Sequence, residues 1–313
     1  MCNEEIKMQF INELPETSHN TFRSLFNRAE NYEEQIGCDI YDFDYKNCIG
    51  LLVELNPKSS SHVNSLKSQF LKYVNWAVEN KIASRNYWIT VPTDSSFAEL
   101  AFRSRYVKDI DALEQIVKHC NTTLFDKYVF YLLYAGIMGD SFDELCTLLD
   151  SDVDGENKTI TISRRTFTDI PEQFWDVYFE IKRIGLENIN KIRGDKQNRD
   201  IESPYLIKPY TSKKLKGKPI SLSFVYKLTF KMNEAYNKIH EDDASAVRIA
   251  CTPKTIWYSG MFSKLREIEF KKGYLDYDDF SIILEYYGVE KSSNDSNIQG
   301  LLAEYALYKK VFH

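Results

Sequence analysis

Residues 124–137, LFDKYVFYLLYAGI, are apolar on nearly every face, and such a helix is stable in water only when other elements cover it from all sides. A chain that contains it must fold around it. Gly136-Ile137-Met138 is followed by an acidic-leucine pair, Glu144-Leu145, and by Asp152-Val153-Asp154, which opens a hairpin. A buried central helix and a hairpin after it therefore set the middle of the fold before the ends are considered.

At 313 residues the chain exceeds one ordinary compact core, and two domains are expected, 1–100 and 101–313. With 43% hydrophobic and 14% aromatic residues it can bury both, which excludes global disorder. No apolar run approaches the roughly 20 residues that cross a bilayer. The N-terminus MCNEEIKMQF carries acidic residues where a signal peptide needs a basic region and an apolar block. A cytoplasmic location and no membrane partner are expected. The six cysteines (Cys2, Cys38, Cys48, Cys120, Cys146, Cys251) form no CxxC pair and the five histidines are scattered, so free thiols, no metal and no cofactor are expected.

The net charge of -6 conceals an asymmetry. Residues 1–57 carry 4 basic and 11 acidic side chains, whereas residues 191–272 carry 18 basic and 9 acidic. A protein that neutralises phosphates needs only one positive face, because counterion release is local. A single lysine-rich run reads better as a solvated loop, but an asymmetry over about 80 residues is harder to account for in that way.

Helical spacing runs through FINELPETSHNTFRSLFNRAENYEEQIG to a stop at Gly37, and the first 50 residues read as an acidic, aromatic extension. YDFDYKNCIGLLVEL is a turn, with Asp42 or Asp44 capping a helix to Leu55, and Asn56-Pro57-Lys58 breaks it. SSSHVNSLKSQFLKYVNWAVENK has apolar residues at 63, 66, 70, 73, 74, 77 and 78, one helix face, with Ser59 to Ser61 available as N-cap. Residues 85–106, with Trp88, Pro92, Arg103 and Arg105, read as the linker between domains. VDGENKTITISRRTFTDIP predicts a short strand pair, with Thr159 to Ser163 extended and Asp154-Gly155 in a turn. Further helices are expected in YVKDIDALEQIVKHC, EQFWDVYFEIKRI, SLSFVYKLTFKMNEAYNKIHE (capped by Ser221 or Ser223), CTPKTIWYSGMFSKLREIEFKKG, DYDDFSIILEYYG and NIQGLLAEYALYKK. The chain is read as mainly α with a small sheet.

LNPKSSSHVNSLKSQFLKYVNWAVEN closely resembles the helical core-binding domain of phage integrases, and the order from the central helix to Asp154 resembles the catalytic domain of the tyrosine recombinases, with a short insertion at residues 139–141. The resemblance runs from about residue 40 to 310 and implies a core-binding (SAM-like) domain followed by a mostly helical, catalytic-like domain with a β-hairpin. Enzymes of this family use a tyrosine nucleophile, two arginines on the scissile phosphate, and a lysine and histidines for proton transfer. The arginines matter because charge builds on the phosphoryl oxygens, which a planar two-point donor fits.

Against that pattern, Met138 stands where the first arginine belongs. Thr252-Pro253-Lys254-Thr255-Ile256-Trp257-Tyr258 matches the His-x-x-Arg-His run with Lys254 at the first histidine, Trp257 at the arginine and Tyr258 at the second histidine, and the nearest downstream arginine is Arg266. Tyr287-Gly288-Val289 has no histidine beside its glycine. Tyr305 or Tyr308 stands near the nucleophile position, but both share helical spacing with Leu301, Leu302 and Leu307, and packing is the better reading of each. Lys158, Arg164 and Arg165 are candidates for the hairpin lysine without a fixed match. The resemblance thus implies the fold without the enzyme, and no catalytic residue.

What remains implied is contact with double-stranded DNA. Lys58, Ser59, Ser61, His62, Asn64 and Lys67 cluster at a helix start, where unpaired N–H groups and the helix dipole favour phosphate. Arg103 and Arg105 lie in the stretch read as the interdomain linker, and Arg164 and Arg165 lie on the hairpin. Lys213, Lys214, Lys216 and Lys218 form a basic run before a helix whose start the family turns toward the major groove, which makes Ser221, Ser223, Tyr226 and Lys227 candidates. Arg248 and Lys254 border the altered catalytic positions.

Among recombinase-like proteins without catalytic residues, the chain is most similar to the lysogeny repressors of SPbeta-like Bacillus prophages. That similarity implies occupation of repeated operator sites that silences lytic genes, with a phage-encoded antirepressor or co-regulator as a partner. Other readings stay open: an active recombinase with a non-standard catalytic set, an accessory factor that bends DNA for another integrase, or a protein-interaction module using the acidic N-terminus and the C-terminal helix. A monomer and weak self-association on DNA are both compatible with the sequence, and in active relatives the C-terminal helix passes between protomers.

Overall fold

The computed structural model describes residues 3–313 except 56, 58–59, 94, 121–122, 140–141, 164, 187, 189–198, 212–216, 242, 244–246 and 290–295. It divides into two units, Met1–Ser104 and Arg105–His313. The division falls at the end of a helix rather than at residue 100.

The first unit contains α1 (Glu4–Asn12), α2 (Glu16–Ile36), α3 (Tyr45–Leu55), α4 (Ser60–Glu79) and α5 (Ser95–Arg105), with 3-10 turns at Ile40–Asp42 and Tyr87–Thr90. The first 50 residues are not an extension. Phe10 of α1 and Phe26 of α2 pack edge to face with each other and around Tyr73 of α4, and Phe70 stacks on Trp88 with ring centroids 4.3 Å apart. The acidic composition misled because part of the charge is used inside. The Lys7 ammonium donates to Glu33 at 2.6 Å and lies 3.3 Å from Asp39, the Tyr73 hydroxyl donates to Asp39 at 3.0 Å, and all four side chains are buried. Gly37 ends α2 at φ 77°, a left-handed conformation that suits glycine. Asp44, not Asp42, starts α3, its Oδ1 accepting from the Asn47 N–H at 2.8 Å. Residues 85–106 are likewise no plain linker, since they hold the second 3-10 turn and α5.

The second unit contains α6 (Ile110–Lys118), α7 (Leu124–Ala135), α8 (Asp143–Thr147), β1 (Val153–Asp154), β2 (Thr159–Ile162), β3 (Arg165–Phe167), α9 (Glu172–Ile184), α10 (Leu222–Ile239), α11 (Pro253–Lys272), α12 (Tyr277–Tyr286) and α13 (Ser296–Phe312). The all-apolar segment is α7. Ten of its side chains are buried, Thr123 and Asp126 close a capping box at its start, and Gly136 ends it at φ 103°. It crosses α11 backbone against backbone: a Cβ on Gly260 would lie 1.8 Å from the Tyr134 carbonyl oxygen. α11 begins with its own capping box, Thr252 with Thr255, and Pro253 in the first turn, where a missing N–H costs nothing.

The expected strand pair is a three-stranded antiparallel sheet in the order β1-β2-β3, with Asp154 opposite Thr159 and Ile162 opposite Arg165. The two-residue β1 is too short to produce an alternation of its own. α13 packs on its own unit, burying Leu301, Tyr305, Tyr308 and Val311. Among the described residues, no helix is long and apolar enough to cross a membrane, and no cluster of three or more His, Cys, Asp or Glu side chains is placed to hold a metal ion.

Candidate nucleic-acid interface

Where the sequence resemblance expects two arginines, the structure places an aromatic cluster. Trp257, 3% exposed, points its indole at the end of α7 and donates to the Gly136 carbonyl at 3.3 Å. Its ring meets Tyr287 at 5.4 Å, and the Tyr287 hydroxyl donates to the Tyr134 carbonyl at 3.1 Å. A Cβ on Gly136 would touch the Tyr287 ring at 3.1 Å, so α7, α11 and the end of α12 meet around this glycine. Met138 is half-buried against the same core. Lys254 is exposed, its ammonium 5.9 Å from the centroid of the Tyr258 ring, and burial raises the Tyr258 hydroxyl pKa, with Glu304 adding to it. Arg266 donates to Glu269 at 3.1 Å.

Tyr305 and Tyr308 are both buried. Tyr305 donates to Glu269 at 2.7 Å and Tyr308 to the Lys108 carbonyl. Burial raises both phenol pKa values, and the Glu269 carboxylate raises that of Tyr305 further. A nucleophile that must lose its proton is disfavoured in such surroundings.

Several basic residues read as DNA contacts are used elsewhere. The Lys67 ammonium donates to the carbonyls of Ile89 at 3.2 Å and Val91 at 2.5 Å, stapling α4 to the second 3-10 turn. Arg105 is buried near Cys251, whose thiol burial pushes up to about 12 against the pull of that guanidinium. Arg165 does not project from the hairpin. It pairs with Glu144, donates to the Tyr286 carbonyl at 3.0 Å and lies over the Phe167 ring, joining β3 to α8 and α12. Sequence reports a charge but not its direction. Arg165→Ala is expected to lower stability by about 1–3 kcal/mol, and Arg165→Lys to recover little of it, because a single ammonium cannot serve both acceptors in the guanidinium's geometry. Urea midpoints of the two variants check this, and a wild-type midpoint for Arg165→Ala would return the residue to the surface.

The other candidates divide plainly. Lys58, Ser59, Arg164, Lys213, Lys214 and Lys216 lie outside the described residues. Ser61, Asn64, Arg103, Lys218 and Arg248 are exposed and His62 is half-buried. Ser221 is the N-cap of α10, its hydroxyl accepting from the Phe224 N–H at 3.3 Å, while Ser223, Tyr226 and Lys227 stand exposed on the first turns.

α10 is the element on which exposed candidates converge. Val225, Leu228, Thr229 and Met232 face the core. The opposite half presents Leu222 (40% exposed), Tyr226 (47%) and Phe230 (50%) four residues apart, beside a parallel row of Ser223, Lys227 and Lys231. The Tyr226 ring is braced by Phe142 at 5.8 Å, and Phe142 sits at φ 65° between α7 and α8, a strained conformation for a bulky residue. Leu222 and Phe230 were missed from sequence because a search for one apolar face ignores apolar residues on the other. Plotting all of them at 100° per residue separates the two faces.

The comparisons with known proteins follow the two units. Residues 1–79 match the family model described as MrpR, N-terminal core-binding domain. The match begins at the first residue, in keeping with α1 and α2 sharing one core with α4. A curated relative, the SPbeta prophage-derived uncharacterized protein YopR of Bacillus subtilis (strain 168), is 25% identical over 159 residues, 49% of this chain and 47% of that protein, so the match spans about half the length of each. Among solved structures, the Tn1549 transposon integrase in complex with circular intermediate DNA is 15% identical, covering 95% of this chain and 98% of that one at a TM-score of 0.36. A lambda integrase dimer bound to a COC' core site is 11% identical, covering 100% and 96% at 0.35. The chain is thus similar to a core-binding domain over its first 79 residues and to a prophage protein over about half its length.

Proposed function

We propose that this chain is a phage-related, sequence-specific DNA-binding protein, built on a recombinase-like scaffold without strand-transfer chemistry and acting as a repressor that maintains lysogeny. The observation that carries the reading is Trp257. At the position where an arginine would grip phosphate, a buried indole spends its only donor on the Gly136 carbonyl, next to Met138. Neither residue offers a cation to a developing phosphoryl charge, and losing one such donor typically costs on the order of 3 kcal/mol of barrier. The buried tyrosines of α13 support the same reading. DNA binding is supported by the core-binding match of the first unit, by the basic stretch 191–272 and by the exposed lysines of α10. The SPbeta origin of the curated relative supports a prophage setting.

Capture of sheared phage and host DNA by the purified protein at low and near-physiological salt, followed by sequencing, tests this. A short recurring sequence near promoters, retained at the higher salt, is the expected result. Replacing Lys213, Lys214, Lys216 and Lys227 together by alanine is expected to weaken binding and to flatten its salt dependence by about one unit of log–log slope for each phosphate no longer neutralised. Retention without sequence preference would replace the repressor with an architectural factor. Cleavage of a supercoiled attachment-site plasmid by the protein alone would restore the recombinase.

A further inference from the structure

We propose that Leu222, Tyr226 and Phe230 read thymine methyl groups in the major groove, while Lys227 and Lys231 hold the adjacent phosphates. This rests on the DNA-binding reading above and names the chemistry that α10 would recognise.

The geometry is specific. Leu222, Tyr226 and Phe230 follow one another at four-residue spacing and form one exposed ridge. Eight residues of helix at about 1.5 Å each extend it over about 12 Å, three to four base-pair steps. A helix about 10–12 Å across fits a major groove about 12 Å wide. The 5-methyl of thymine is the apolar feature of that groove, and apolar side chains are its partners. Tyr226 is not a loose ring, since Phe142 abuts it at 5.8 Å. A preset aromatic gives up little entropy on docking.

An exposed apolar ridge also suits a protein partner, and the neighbouring row decides between the two. Lys227 and Lys231 flank the Tyr226–Phe230 half of the ridge, Ser223 lies beside Leu222, and Lys218 precedes the helix. Cores of protein interfaces are depleted in lysine, whereas DNA interfaces are enriched in it. Lys227 and Lys231 have no acidic partner on the first three turns of α10, whose one carboxylate is Glu234. Charge and apolarity side by side match a duplex edge, where phosphates border methyl groups.

The test takes duplexes selected by the wild-type protein from a random pool and rebuilds them with uracil for thymine, which removes the methyl and leaves every hydrogen-bonding group in place. Roughly three- to tenfold weaker binding is expected for each thymine touched, with an unchanged salt slope. Tyr226→Ser and Phe230→Ser should weaken binding to the thymine duplex by a similar factor and discriminate less between the two bases. Both side chains are exposed, so an unchanged urea midpoint confirms that the variants fold. Equal affinity for thymine and uracil duplexes, in a protein that still selects a sequence, overturns the inference and leaves the DNA reading standing. A change in self-association of the serine variants together with equal affinities assigns the ridge to a second copy of the chain. Failure of the wild type to retain any duplex at low salt removes the DNA reading itself.

Discussion

Gly260→Ala is expected to destabilise the second unit by about 3 kcal/mol or more, near the upper end of what one overpacked methyl costs. The added carbon would lie 1.8 Å from the Tyr134 carbonyl oxygen and 2.7 Å from its carbonyl carbon. Those atoms belong to the last turn of α7, so no side-chain rotation relieves the overlap. The helices must separate, and interiors packed to crystalline density resist that. The third neighbour is the Tyr287 hydroxyl, itself bonded to the Tyr134 carbonyl, so the same methyl disturbs the aromatic cluster around Trp257. Gly300→Ala in α13 is the control. Nothing lies within 4 Å of its added carbon, and a small gain of about 0.5–1 kcal/mol is expected from helix propensity. Urea unfolding of the full chain by circular dichroism measures both, and equal midpoints for Gly260→Ala and wild type would mean that α7 and α11 do not cross this closely.

Lys7→Met is expected to cost the first unit about 3–5 kcal/mol, because it leaves the buried Glu33 and Asp39 without their shared cation. Two carboxylates compete for one ammonium even in the wild type. Burial raises the Glu33 pKa to about 7, with Asp39 adding to the rise and the Lys7 hydrogen bond opposing it. Burial likewise raises the Asp39 pKa, against Lys7 and the Tyr73 hydroxyl. A carboxyl whose folded pKa lies above its unfolded value adds stability below the unfolded value and loses it as pH rises through the folded one. The first unit should therefore weaken between about pH 4.5 and pH 7 through this group. Glu33→Gln should flatten that dependence, since Lys7 and Asp39 then balance. Urea midpoints across the interval decide it, and a wild type whose midpoint rises with pH in step with Glu33→Gln would place the pH sensitivity elsewhere.

The same two places show what the sequence could and could not disclose. α7 was legible because an all-round apolar helix has one environment open to it, and α4 because its apolar spacing matches one face. Gly136 as a helix stop followed from the family resemblance, not from the apolar pattern, which runs on through Ile137. The role of the first 50 residues was not legible, since composition counts Glu33 and Asp39 as surface charge and only the fold brings Lys7 to them. Lys67 and Arg165 misled for the same reason: their partners are backbone carbonyls and a distant glutamate, which leave no pattern in the chain. Met138 and Trp257 were singled out by their positions against the family pattern, and the bond from Trp257 to the Gly136 carbonyl, between residues 121 apart, left no sign in the sequence. Leu222 and Phe230 went unnoticed because apolar residues outside a core register look like noise until the helix is seen to leave them uncovered.

The indole of Trp257 also sets how this chain can change over evolutionary time. An arginine at that position would remove a buried aromatic, at a cost of about 3–5 kcal/mol, and place a guanidinium against the ring of Tyr287 and the turn at Gly136. Buried cations without partners are expensive, and the half-buried Met138 supplies none. An arginine introduced at residue 257 alone is therefore expected to lower the stability of the second unit. The packing of α7, α11 and Tyr287 around Gly136 thus ties residue 257 to the core, and an exchange there is a matter of stability before it is one of function.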